Sequence, residues 1–353
     1  MKDEYRLRLD KIEAALRLAL PENPSPAWLG AVFGQHELPP GMVHGLVQPG
    51  LDLISRGGKR WRPLLMSLVC EALGGGDAAL PLTPLVELSH NASLIHDDIE
   101  DHSLERRGSP AVHLLYGAGM AINGGSFLYF AGLACIEAWT APVELQQRVY
   151  SSWGAYMRRL HLGQALDITW HREGSGVKLP GRGDYALMCR LKTGSLAALA
   201  AVLGVLAAPG ALSLDRPLGD AAEKLGLGFQ ILDDVKNLST GNPGKKRGDD
   251  IVEGKRSLPL LIYLGERGGS RPLVERCFAA ARREGIAAPE VEELIAAMTD
   301  SGAVEEARLQ GLLLVGEARE AMTAALDLVP AAGSAVEARR LLAALPDLIS
   351  GGS

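Results

Sequence analysis

An all-α fold is predicted by three observations. Ala and Leu recur at helical spacing through nearly the whole chain, aromatic residues make up only 5% of it, and no run alternates apolar and polar residues as a half-buried strand does. Apolar residues at 47% and charged residues at 22% are ordinary for a globular chain with a large core, which excludes disordered and fibrous classes. At roughly 150 residues per domain, 353 residues make two domains the starting expectation, with one large helical domain as the alternative.

Taken in order, residues 1–20 are charged and amphipathic and predict a helix, which PENPSP (21–26) ends. A second helical stretch leads to the Gly57-Gly58 turn, and from Pro63 onward the sequence is almost entirely helical. Breaks rich in Gly or Pro fall at 74–77, 106–110, 172–184, 239–250 and 265–270. In the C-terminal third, runs such as VEEARLQGLLLVGEAREAMTAAL space apolar residues at i, i+3 and i+4 and read as scaffold helices. An aspartate-rich helix occurs twice, at DDIED (97–101) and DDVKN (233–237), so that two similar helices are expected to face one another.

Composition also narrows location and partners. The four cysteines, Cys70, Cys135, Cys189 and Cys277, have no CxxC or Cys/His metal spacing and suit a reducing cytosol. The first residues lack the pattern of a secretory signal, and no stretch reaches the length of uncharged apolar sequence needed to span a membrane. A soluble, cytoplasmic protein without a transmembrane segment is expected. The net charge of -6 provides no basic footprint for nucleic acid, so an anion site must be a local cluster.

In LSHNASLIHDDIED, residues His90, Leu94, Asp97 and Asp101 share one helical stripe with Asp98 beside it. Two unit charges about 4 Å apart cost on the order of 4 kcal/mol at an effective dielectric near 20, so such a cluster in a cleft needs a counter-ion. Oxygen ligands without Cys favour Mg2+. A single acidic run is ordinarily a solvated helix face, but here there are two. The second, LGLGFQILDDVKN, puts Gln230, Asp233, Asp234 and Asn237 along one face. Metals held between two such helices would grip a polyanion, and a diphosphate is the natural guest.

Short basic groups surround the acidic pair: Arg56, Lys59, Arg60 and Arg62; Arg106 and Arg107; Lys192; and Lys245, Lys246, Arg247 and Lys255. Arg forks and Lys point charges in Gly-rich loops hold phosphates, and their separation along the chain allows two different anions. GDDIVEGK is not a nucleotide loop, since five residues separate Gly248 from Gly254 and Arg256 stands where Ser or Thr is required. A phosphohydrolase reading of His96-Asp97 leaves the second acidic helix and the spare basic groups unexplained.

Taken together, GGKRWRP (57–63), DDIEDHSLERRG (97–108), GQALD (163–167), KTG (192–194), GFQILDD (228–234) and GKKRGDDIVEGK (244–255) resemble the trans-isoprenyl diphosphate synthase, or polyprenyl synthetase, family in order and spacing. The resemblance implies the isoprenoid synthase fold, one helical bundle around a central cavity. Residues 1–353 would then form a single domain, with 1–26 an N-terminal helix and linker, usually assembled as a homodimer.

It also implies residue roles. Asp97, Asp101 and Asp233 would ligate three Mg2+ ions on an allylic diphosphate, supported by Asp98 and Asp234. Arg106, Lys192 and Lys255 would neutralise that diphosphate, Gln164 and Asp167 would line the cavity, and Lys245 would sit on a closing loop. Lys59, Arg62, His90 and Arg107 would hold isopentenyl diphosphate without metal. Thr193, Gln230 and the Lys192 carbonyl would face the carbocation formed when the allylic carbon-oxygen bond ionises.

Two departures stand out. Asn237 replaces the third aspartate of the second motif, and Ser126 stands where many bacterial members carry Asp. With LIHDDIED, Asn123 and Leu238 these resemble eukaryotic-type geranylgeranyl diphosphate synthases. One and two turns before Asp97 lie Ser89, Ala92 and Ser93, all small. The tail path is therefore expected to be open to twenty carbons or more, with Phe127 a candidate lower floor. The alternatives are a farnesyl diphosphate synthase, a terpene cyclase or a non-catalytic regulatory subunit.

Overall fold

The computed structural model describes residues 2–172, 179–241 and 246–350. Helices dominate. Among the described residues the only sheet is a two-stranded antiparallel ribbon, Glu105–Arg106 with Ser109–Pro110, pairing Glu105 with Pro110 and Arg106 with Ser109. The Arg-Arg-Gly sequence makes this hairpin possible, because Arg107 (φ 54°) and Gly108 (φ 73°) both take the left-handed conformation its turn needs.

Local chemistry sets the helix ends. Proline and serine stop the first helix, Lys2–Ala19, and start the second, Pro26–Phe33: Ser25 accepts a hydrogen bond from the Trp28 N–H, Pro26 sits where no donor is needed, and Gly34 (φ 66°) ends the turn. Ser270 caps Arg271–Glu284 in the same way.

The chain divides into two compact units. The first comprises Met1–Ala155, Leu196–Asp220 and Ala321–Ser353. Trp61–Ala72 and Thr83–Glu100 run through its centre, and apart from Arg62 every residue of Trp61–Ala72 is buried. The helix Ser195–Ala207 comes close enough that a side chain at Gly204 would lie 2.6 Å from the Met66 carbonyl oxygen. The terminal helices are tied in by polar bonds, with Arg8 forking onto Glu71 at 3.0 and 2.6 Å and Tyr5 donating to the Leu341 carbonyl at 2.5 Å.

The second unit comprises Tyr156–Ser195 and Ala221–Glu320. Its core joins Tyr185, Met188 and Cys189 to Leu227, Ile231 and Val235, then to Leu258–Tyr263 and on to Val291, Leu294 and Met298. The helix Arg182–Cys189 passes into a π-turn at Arg190–Gly194 without breaking, and this was not legible beforehand.

One expectation is corrected. Ala118–Ala138 and Arg182–Ala207 are long and apolar enough to cross a membrane by length and composition, with 44% and 83% of their apolar windows buried in the protein. Arg190 and Lys192 divide the second into two short apolar runs in the sequence, whereas the helical phase joins them. An 83% buried helix of this kind is core.

Candidate functional site

In the first unit, Thr83–Glu100 turns an apolar face with Leu85, Leu88, Ala92 and Ile95 into the core. Asp97 and Asp101 are half-buried and Asp98 is fully buried. Arg106, from the ribbon, donates its Nε to Asp98 Oδ1 at 2.8 Å and adds a second, very short bond to the same oxygen. Its guanidinium also stands 3.5 Å from Asp97 Oδ2. Arg106, expected to neutralise a diphosphate, thus binds the inner aspartate of the motif, and the two outer carboxylates lie on the more accessible side.

Two turns back on the same helix, His90 lies among cations that other segments supply. Arg60, left-handed at φ 48° and 4% exposed, spends its guanidinium on Glu13 (2.7 Å), Glu87 (2.9 Å) and the Ile54 and Gly57 carbonyls. Arg107 donates to the Leu53 carbonyl at 2.9 Å and to Asn91 Oδ1 at 3.1 Å. Arg62 lies over the Trp61 ring at 4.5 Å, and its buried Nε meets no hydrogen-bond acceptor among the described residues.

Burial, with Arg107 beside it, pushes the Arg62 guanidinium down to about 10, and burial with its cationic neighbours does the same to Arg107. Burial and then Arg62, Arg107, Arg106 and Arg60 push the His90 imidazole well below its usual range. Two non-glycine residues, Arg60 and Arg107, hold a left-handed backbone here at a cost of about 1–3 kcal/mol each, strain that recurs where a site is preorganised. Lys59 differs from the rest, because its ammonium donates to the Ile349 carbonyl at the end of the C-terminal helix.

The second unit gathers the other motifs. Gly163 is indispensable for close approach: a Cβ there would lie 2.3 Å from the Lys192 backbone nitrogen. Gly194 and Gly226 do the same one helix on, a Cβ on Gly226 falling 2.8 Å from Gly194 Cα. The KTG sequence occupies the π-turn, a distortion common at functional sites.

Lys192 Nζ donates to Asp167 Oδ2 at 2.6 Å, and His171 stands 2.9 Å from Asp167 Oδ1. Burial raises the Asp167 carboxyl, but Lys192 and His171 outweigh it and hold the group well below the usual range. Gln164 is half-buried one helical turn before. Thr193 Oγ1 donates to Gln230 Oε1 at 2.7 Å, and Gln230 Nε2 donates to Asp234 Oδ1 at 3.0 Å.

Asp233 is exposed and Asp234 is 5% exposed. Burial and the nearby Asp250 carboxylate raise the Asp234 carboxyl. Asn237 is fully buried: its amide donates to the Lys246 carbonyl at 3.4 Å, and its oxygen accepts from the Asp250 N–H at 3.3 Å. Lys255 pairs with Glu253 at 2.6 Å and with Asp250 at 3.4 Å. Lys245 lies outside the described residues.

Of the chain-length candidates, Ser89 and Ala92 are fully buried and Ser93 is half-buried. Phe127 stacks on Phe33 at 5.6 Å, packing the N-terminal helices. Two residues were missed, Trp153, whose indole donates to Ser89, and Tyr185, whose hydroxyl donates to Asp234. The available signal was that buried indole and phenol groups need acceptors.

The donor set fits a hard cation. Asp97 and Asp101 in the first unit, and Asp233 in the second, each offer only oxygen, the donor type that Mg2+ takes. Among the described residues no group of three or more His, Cys, Asp or Glu is placed to hold a metal by itself.

Residues 44–297 match the polyprenyl synthetase family. A geranylfarnesyl diphosphate synthase of Aeropyrum pernix is 33% identical over 312 residues, 85% of this chain and 92% of that protein. A geranylgeranyl pyrophosphate synthase of Geoglobus acetivorans is 31% identical over 310 residues, 87% and 86% of the two chains. The solved synthetase of Geoglobus acetivorans superposes with a TM-score of 0.75 at 28% identity, covering 98% of this chain and 99% of that one. A Caulobacter crescentus polyprenyl synthase complexed with calcium and isoprenyl diphosphate gives 0.76 at 28%, covering 98% and 96%. With the isoprenoid synthase fold and both aspartate motifs in place, the chain belongs to the polyprenyl synthetase family of trans-isoprenyl diphosphate synthases.

Proposed function

We propose that the protein uses Mg2+ to condense isopentenyl diphosphate with an allylic diphosphate, releasing diphosphate and a trans-polyprenyl diphosphate of twenty carbons or more. The observation that carries this reading is the Thr83–Glu100 helix, which bears two anion-handling sites: carboxylates at Asp97 and Asp101, and a cation-ringed His90 two turns earlier. The first suits a metal-held diphosphate and the second a diphosphate bound directly.

Asp97, Asp101 and Asp233 are the proposed metal-holding residues, for three ions, with Asp98 and Asp234 supporting them. When bound, Mg2+ supplies positive charge to the departing diphosphate oxygens. Arg62, His90 and Arg107, with Lys59 released from Ile349, hold isopentenyl diphosphate. Arg106, Lys192, Lys245 and Lys255 add charge at the allylic diphosphate, and Gln164 and Asp167 line its site. As the allylic carbon-oxygen bond breaks, the Thr193 hydroxyl, the Gln230 carboxamide and the Lys192 carbonyl face the carbocation. The double bond of isopentenyl diphosphate attacks, the new carbon-carbon bond forms, and the departed diphosphate takes the proton.

Products of twenty carbons or more are favoured by the small Ser89, Ala92 and Ser93 and by the product names of the Aeropyrum and Geoglobus relatives. A single catalytic domain, a homodimer and a cytoplasmic location complete the proposal. The test is incubation with Mg2+, labelled isopentenyl diphosphate and dimethylallyl, geranyl or farnesyl diphosphate in turn, with the products sized. Products of twenty carbons or more are expected. A ladder ending at fifteen carbons would make the protein a farnesyl diphosphate synthase, and no elongation from any starter would overturn the reading.

A further inference from the structure

Tyr185 is 2% exposed, within the cluster formed by Met188, Cys189, Leu227 and Ile231. A phenol so placed loses about 1–3 kcal/mol without an acceptor, so its partner is informative. That partner is Asp234 Oδ2, at 2.7 Å. Asp234 takes two further donors, Gln230 Nε2 on Oδ1 at 3.0 Å and the Leu258 N–H on Oδ2 at 3.4 Å. Gln230 in turn accepts from Thr193 at 2.7 Å. Four side chains from the helix Arg182–Cys189, the π-turn and the helix Asp215–Ser239 therefore form one continuous line.

The two aspartate motifs are stabilised in opposite ways. In the first, the inner carboxylate Asp98 is bound by a cation, Arg106. In the second, all three donors to Asp234 are neutral, so its position is fixed without adding positive charge beside Asp233. Asp233 itself lies about 100° round the helix, on the exposed side. Once Tyr185, Gln230 and the Leu258 N–H hold Asp234, the rotation of this helix turn is set.

We infer that Tyr185 is a positioning residue of the condensation: through Asp234 it orients Gln230 and Thr193 and fixes the turn that presents Asp233 to metal and diphosphate. This rests on the synthase reading above. Tyr185 touches neither substrate nor metal in this role, and a phenylalanine ring would fill the same space without the bond.

The test is Tyr185→Phe in the full chain, after the wild-type protein has been shown to elongate an allylic starter; failure at that first step would count against the synthase reading alone. Mn2+ binding in the presence of inorganic diphosphate, followed by electron paramagnetic resonance, is expected to weaken about 10-fold, the loss that one hydrogen bond to a charged group brings. Half-saturating Mg2+ and the KM for the allylic diphosphate should rise with it, while the KM for isopentenyl diphosphate stays at its wild-type value. In an Asp234→Ala background, Tyr185→Phe should add no further loss.

Wild-type Mn2+ affinity in Tyr185→Phe, equal changes in both KM values, or a full additional loss in the Asp234→Ala background would each overturn the inference. If Tyr185→Phe does not fold, 3-fluorotyrosine at position 185 keeps the donor. Its fluorine resonance should move on Asp234→Asn and on addition of Mg2+ with diphosphate, and a resonance indifferent to both would also overturn it.

Discussion

Trp153 donates its indole Nε1 to Ser89 Oγ at 3.2 Å, while the same hydroxyl donates to the Leu85 carbonyl at 2.7 Å. Ser89, one of the small residues of Thr83–Glu100, is thus covered by the largest side chain, pinned in place and flanked by Phe130 at a ring separation of 6.4 Å. The small residues alone do not describe the path. Trp153→Ala is expected to shift the product distribution upward by at least one five-carbon unit, whereas Ala92→Phe, one turn nearer Asp97, shortens it. Chromatographic sizing of labelled products checks both, and unchanged products in both variants would mean that the tail runs elsewhere.

Asp97→Ala removes a proposed metal-holding oxygen from the accessible side of the first motif. Turnover should fall about 10³-fold or more with little change in thermal midpoint. Near wild-type turnover would remove Asp97 from the site.

His90 yields a pH signature. Its folded-state value lies well below the ordinary 6.5, so between those values the unfolded chain binds a proton that the folded chain refuses. Its stabilising contribution is complete above about 6.5 and is lost as the pH falls, at up to about 1.4 kcal/mol per pH unit. Thermal midpoints at pH 7.5 and 5.5 should therefore drop less for His90→Gln than for wild type, and equal drops would show that His90 does not titrate this way.

Asn237 tests whether the third position of the second motif serves the metal or the chain. Its amide bridges a carbonyl and an N–H of the 246–250 turn, which a carboxylate cannot do because it has no donor. Asn237→Asp should cost about 1 kcal/mol of stability and leave half-saturating Mg2+ unchanged. Tighter Mg2+ activation in that variant would make position 237 a ligand.

Gly163→Ala places a methyl 2.3 Å from the Lys192 nitrogen, against backbone that cannot move aside. A loss of about 1–3 kcal/mol of stability is expected, with turnover reduced because Lys192 and Thr193 are displaced together. Urea unfolding and steady-state rates check the two halves.

Helical periodicity and the Gly/Pro breaks made the all-α class legible, and the ordered motifs made the family legible, because both depend on local spacing. What escaped depends on partners far apart in the chain. Arg106 keeps its proposed place at the diphosphate, but its bond to Asp98, eight residues back, was not legible because it depends on the hairpin that turns the chain round. Asn237 looked like a neutral substitution in a metal motif, whereas its partners are nine and thirteen residues downstream. Trp153 and Tyr185 carry no motif at all, since their meaning lies in acceptors 64 and 49 residues away.

The π-turn at Arg190–Gly194 spends one residue more on a helical turn than an α-helix does. Deleting one residue here would let the turn relax to ordinary α geometry with Arg182–Cys189 kept nearly in phase, so Tyr185 would stay by Asp234 while the bulge that carries Lys192 and Thr193 would be lost. A regular helix advances about 100° per residue, so inserting a residue beside the turn, with nothing to absorb it, would swing Tyr185 away from Asp234 and Met188 and Cys189 out of their core. A lost codon in this stretch should therefore spare the packing and damage the site, whereas a gained codon should damage both.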